Sequence, residues 1–90
     1  MRQDHVRATL EKLVEELASI EHERWSHWQR YMHGKGVKMA DGSLVIPADL
    51  IERWERQMST AYANLAEDEK DSDREQVRNY LPVIEKALSD

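Results

Sequence analysis

Ninety residues with 40% apolar and 34% charged side chains fit one helix-rich domain, near the lower limit for a self-sufficient core. A formal net charge of −5 argues against direct binding of nucleic-acid polymers, which leaves a basic footprint. Cysteine is absent, which excludes disulfides and thiolate metal sites, and no apolar run approaches the ~18 residues of a membrane span.

The N-terminal stretch MRQDHVRATLEKL is charged throughout and lacks the apolar block of a signal peptide, so the cytoplasm is the expected compartment. Residues 3–33 hold no Pro or Gly. Val6, Leu10, Leu13, Leu17 and Ile20 follow one another at steps of 4, 3, 4 and 3, which makes one helical stripe. The stripe then steps by five to Trp25, followed by Trp28 and Met32, a stutter that rotates the apolar face without ending the helix. Gly34 is the expected stop, with His33 in the last turn. A helix of about 30 residues is ~45 Å long, whereas a compact domain of this size is only ~30 Å across. The first turns therefore call for a partner, and a second copy packing through Val6, Leu10, Leu13, Leu17 and Ile20 is the simplest. The alternative is a break near Ser19 and a chain that folds back.

Residues 34–46 read as a loop. Within it, "ADGS" between Val37–Met39 and Leu44–Ile46 signals a small hairpin. Pro47, favoured at a helix start, opens a second helix with Leu50, Ile51, Trp54 and Met58 on one face. Ser59 and Thr60 end it, and "STAYANL" connects onward through Tyr62 and Leu65. A third helix opens on an acid-rich first turn, which the helix dipole favours, and buries Val77, Tyr80, Leu81, Ile84 and Leu88. Pro82 lies inside that pattern and either kinks the helix or divides it. The expected fold is all-α and self-associating: a long N-terminal helix, a short hairpin-like loop, a second helix and a Pro-kinked C-terminal helix, in one domain over residues 1–90.

The chemistry is sparse. His22 and His27 are five apart, whereas a zincin pair needs four; the extra residue turns the second ligand by ~100°. Glu23 and His27 are four apart, but two ligands on a helix make a weak metal signal, so no metal is expected. The many carboxylates show no pairing that separates their proton affinities. No nucleophile elbow, phosphate loop or dinucleotide glycine pattern occurs, and "GKG" is too short to cradle phosphate. A non-enzymatic chain without a cofactor is the expectation.

The rings say more. Trp25, Trp28 and Trp54 read first as an aromatic core cluster between the first two helices. Yet His22 and Arg24 precede Trp25, Arg30 and Tyr31 follow Trp28, and Lys35 and Lys38 sit on the adjoining loop. Rings beside cations suit a planar anionic ligand. The plainer account of the cations is helix-surface pairing, Arg24 with Glu21 or Glu23 and Arg53 with Asp49.

"YANLAEDEKDSDREQV" resembles the ryanodine-receptor repeat, or RyR domain. The family's Tyr, Leu, Glu-Lys and Asp-Arg elements fall on Tyr62, Leu65, Glu69–Lys70 and Asp73–Arg74, and "IEHERW" is similar to its first-helix pattern through His22 and Trp25. The similarity covers roughly residues 16–88, with 1–15 as an N-terminal helical extension. Gly-Lys-Gly-Val stands where the family often has Gly-Trp, and the family's His-Pro is replaced by the second helix. The resemblance implies a small helical module of bacterial or phage type, regulatory or interacting, with some relatives beside nucleotide signalling or defence.

Two functions follow as expectations. The leading one is non-catalytic binding of a small anionic nucleotide-like molecule, with sequestration as the way such a binder would act. Trp25, Trp28 and Tyr31 would stack on it, Arg24, Arg30, Lys35 and Lys38 would neutralise it, and His22 would orient it. The alternative is a homo-oligomeric interaction or structural module without a small ligand. An Asp73–Arg74 pair, with Lys70 one turn away, would clamp the loop before the third helix.

Overall fold

The computed structural model describes residues 2–89; Met1 and Asp90, the ends of the 1–90 span, lie outside the described residues. Helix α1 covers Gln3–Lys12 and α2 covers Val14–Lys35, with Leu13 alone between them. The Leu13 N–H donates to the Leu10 carbonyl at 3.0 Å, and its own carbonyl accepts from Leu17 at 2.9 Å. The joint is thus one tightened turn rather than a loop. Ser19 lies within α2, so the fold-back at that point does not occur, and the helix runs unbroken across the stutter from Ile20 to Trp25. It also passes Gly34, which takes no left-handed conformation, and stops at Gly36 in extended backbone.

The hairpin forms as its turn chemistry dictates. Strands β1 (Val37–Lys38) and β2 (Leu44–Val45) pair antiparallel, Val37 opposite Val45 and Lys38 opposite Leu44. The Gly42 N–H returns to the Met39 carbonyl at 3.0 Å, and Gly42 itself has φ 91°, a left-handed value that glycine adopts without strain. Asp41 accepts from both the Ser43 backbone and its hydroxyl, which holds its carboxyl below the usual carboxylate range.

Helix α3 spans Ala48–Met58, with Pro47 just outside as its N-cap. A short 3-10 turn at Tyr62–Asn64 leads to α4 (Glu67–Arg78). At the start of α4, Glu69 reaches back to accept from the Ala66 N–H at 3.2 Å; alanine has no acceptor to return the favour, so only half a capping box is made. The third sequence helix is divided at Asn79–Tyr80, and α5 covers Leu81–Ser89. Pro82 becomes the second residue of α5. There its missing N–H costs nothing, because the first turn has no intrahelical acceptors to lose.

Several contacts tie these elements together, among them an Arg56–Glu69 ion pair at 3.9 Å between α3 and α4. The Trp28 ring meets Trp54 of α3 edge-on, centroids 5.5 Å apart and planes at 67°. Gln57 of α3 donates to Glu69 of α4. The Tyr80 hydroxyl donates to Glu21 of α2. Among the described residues, no helix is long and apolar enough to cross a membrane.

The molecule is extended, 56 × 34 × 18 Å with a Cα radius of gyration of 18.1 Å; a compact chain of this length has a radius near ~12 Å. Among the described residues only Leu13 is buried, at 7% exposure. Around it runs a half-buried row, Val6, Thr9, Leu17 and Ile20, and α5 contributes its own at Val83, Ile84 and Ala87. The N-terminal stripe is therefore partly covered by its own chain. Leu10, the one stripe member left exposed, stands beside exposed Val14.

Candidate functional site

Successive residues on α2 rotate by ~100°, so neighbours in sequence part company in space. His22, Ser26 and Arg30 are four apart and form one row; the Ser26 hydroxyl lies 3.4 Å from His22 Nε2. Trp25, Trp28, Met32 and Lys35 follow steps of three, four and three around the other side. Trp28 and Arg30 stand ~200° apart on the helix.

The eight residues expected to bind one ligand divide accordingly. His22, Arg24 and Arg30 line an open groove of about 820 Å³ between α2 and the end of α4, together with Glu23, His27, Glu75, Gln76 and Asn79. Trp28 and Tyr31 instead stack on each other at 5.4 Å and 27°, with Lys35 Nζ 5.3 Å from the Tyr31 centroid. Trp25 stacks on His22 at 6.0 Å and 19°, which joins the ring side to the groove at one point. Lys38 lies exposed on β1 and is not part of the groove lining. The rings are not sealed: Trp25 is 54% exposed and Trp28 41%.

Electrostatics decide what the groove can attract. Arg24 Nε donates to Glu21 at 2.9 Å, and its guanidinium holds the Glu21 carboxyl down to about 2, with the Tyr80 hydroxyl adding to the effect. Arg24 is therefore committed to an acid that stays ionised. Arg30 pairs with no carboxylate among the described residues, but Glu23 and Glu75 sit on the same walls. The two arginines and two glutamates of the lining cancel. The groove is polar and mixed in sign rather than a cationic trap.

The expected loop clamp takes a different form. Arg74 donates to Asp71 at 2.7 Å and to Glu67 at 3.1 Å, not to Asp73, because adjacent helix residues face apart. Lys70 lies 3.7 Å from Glu67 and 5.7 Å from the Tyr62 ring centroid. Glu67 thus gathers both cations, and Lys70 leans over the connector. Arg53 makes no ion pair with Asp49 among the described residues.

Sequence reading passed over a second concavity. Tyr62, Val77 and Leu81 line an open apolar cleft of about 270 Å³, edged by Asp73, Arg74 and Arg78. Its signal was present: Val77 and Leu81 are four apart, and so are Arg74 and Arg78. Among the described residues no cluster of three or more His, Asp or Glu is placed to hold a metal ion. No family model, curated protein or solved structure matches this chain.

Proposed function

We propose that this chain is a homo-oligomeric protein–protein interaction module, in which a second copy covers apolar surface that one copy leaves in water. The observation that carries the reading is area. The chain exposes 7514 Å², whereas a compact monomer of its mass exposes roughly 5,500 Å². The excess, on the order of 2,000 Å², exceeds the ~800 Å² that each partner contributes to an ordinary stable interface. Exposed large apolar side chains occur on every helix, and Met58 reaches 78% exposure. The RyR resemblance supports the same reading, since such repeats serve as regulatory and interaction modules. The reading takes the cytoplasm as its setting, in line with the dense charge and the absence of cysteine.

A test is thermal unfolding at several chain concentrations. If folding and association are coupled, the midpoint rises with concentration by mass action. A midpoint that stays fixed across a hundredfold dilution overturns the reading.

One observation favours a second reading, the small anionic nucleotide-like ligand. Arg30 has no carboxylate partner among the described residues, and the exposed Trp25 ring adjoins the same groove through His22. Calorimetry with mono-, di- and cyclic nucleotides tests it: binding that Arg30→Ala abolishes supports a ligand site, and no heat with any of them removes it.

A further inference from the structure

We propose that the β1–β2 hairpin docks on an anionic lipid surface, its apolar face entering the headgroup region and the lysines around it meeting the negative charge. The proposal goes beyond self-association and does not rest on it. The geometry comes from the strand register. Val37 stands directly opposite Val45, so the two share one face of the hairpin, and Met39, two residues on from Val37, joins them. All three are bare: Val37 is 60% exposed, Val45 52% and Met39 47%. Leu44 points the other way and lies over Gly36, where an added Cβ would meet its side chain at 3.3 Å. The hairpin thus has an inner face turned toward the end of α2 and an outer apolar face left in water. At the turn, a Cβ added to Gly42 would meet nothing within 4 Å, so the tip projects into open space. Two strands alone are marginal in water, and cover on the outer face would support them.

Charge names the occupant. From Arg24 to Ala40 the chain carries Arg24, Arg30, Lys35 and Lys38 and no acid; all 18 Asp and Glu residues fall outside that run. Arg24 is held by Glu21, and Arg30 lines the groove. Lys35 and Lys38 stand on either side of Val37 and pair with no carboxylate among the described residues. Lys38 starts from the inner face, but it is exposed, and its long stem can carry the ammonium past the edge of a two-stranded hairpin. Asp41, at the tip, turns its carboxylate back onto Ser43. An acidic protein therefore presents one cationic, apolar edge. Peripheral segments bind anionic lipid with this combination, since apolar side chains enter the headgroup boundary and each lysine near the surface adds attraction. Tyr31, with Lys35 Nζ 5.3 Å from its ring centroid, lies one turn back on α2 and suits the headgroup level. A second copy fits this face worse, because a two-fold pairing sets lysines against lysines.

Vesicle flotation of the full chain tests the proposal. One arm uses phosphatidylcholine vesicles with about 30% phosphatidylserine, the other phosphatidylcholine alone. Binding to the anionic vesicles should be stronger by about twenty-fold, and Lys35→Gln with Lys38→Gln should remove most of that difference. Val37→Asp should weaken binding about tenfold or more. Met58→Asp makes the same charge change on α3, at a side chain 78% exposed, and should leave binding unchanged. Circular dichroism confirms that each variant keeps its helices. Absence of flotation with the anionic vesicles overturns the proposal, and so does an equal loss in Val37→Asp and Met58→Asp. A chain that does not float, but whose dimer is dissociated by Val37→Asp, assigns the face to a second copy instead. A monomeric chain that floats overturns self-association and leaves this proposal standing.

Discussion

Helix α2 is held on two sides by opposite chemistry. Toward α3 the contact is ring on ring, Trp28 against Trp54, with no charge in it. Toward the start of α5 it is a hydrogen bond from Tyr80 to Glu21, an acid that Arg24 also binds. The first contact works by removing apolar surface from water and by edge-to-face ring geometry. The second works only while one carboxyl is ionised and one phenol is not. One helix therefore carries a joint blind to pH and a joint controlled by it.

Removing a ring should separate the two joints by the largest effect. Trp54→Ala should cost about 2 kcal/mol of unfolding free energy, less than for a fully buried indole because this one is half-exposed. Urea unfolding measures it. Should Tyr80→Phe cost more than Trp54→Ala, the ranking of the two joints is reversed.

Acid sharpens the contrast. The folded Glu21 carboxyl sits at about 2 against an ordinary 4.5, chiefly through Arg24 and then Tyr80. A depressed carboxyl stabilises the fold fully above 4.5, and that contribution fades as pH falls toward 2. Glu69, lowered mainly by its bond from Gln57, acts in the same direction at the joint of α3 and α4. At the alkaline end the sign reverses. Glu21 raises the Tyr80 phenol above its ordinary 10.0, so stability declines as pH climbs beyond that value. Unfolding midpoints from pH 2 to 11 should form a plateau with losses at both ends. Tyr80→Phe should flatten the alkaline loss while leaving most of the acid one, since Arg24 remains on Glu21. An unchanged alkaline slope in that variant would remove Tyr80 from the joint.

The smallest effect belongs to the groove. Arg30→Ala should change stability by no more than about 0.5 kcal/mol, because the side chain has no ion-pair partner to lose among the described residues. A larger loss would mean that Arg30 braces α2 and is not free for a ligand.

Legibility followed the range of the forces involved. The hairpin was readable because Asp41, Gly42 and Ser43 set their own turn. Helix α3 was readable because Leu50, Ile51, Trp54 and Met58 keep a strict helical period, and Pro82 marked the division before α5. The break at Leu13 was hidden, since it falls inside a regular stripe without Gly or Pro. The bond from Tyr80 to Glu21 joins residues 59 apart and leaves no local trace. The eight ligand candidates are near neighbours along the chain, yet Trp28 and Arg30 lie on opposite sides of α2. Helical rotation alone separates them, so that part was present in the sequence and went unused. The half-covered stripe is a third case. Val6, Leu13, Leu17 and Ile20 do form one face, but their periodicity says nothing of how much of it one copy leaves in water.

The proposed self-association has a second copy complete an interior that one chain leaves open. Sedimentation equilibrium of the unsubstituted chain measures this without a label or a substitution. The mass should approach about 21 kDa, twice the 10.6 kDa of one chain, and fall on dilution. A mass of 10.6 kDa at every concentration would contradict it.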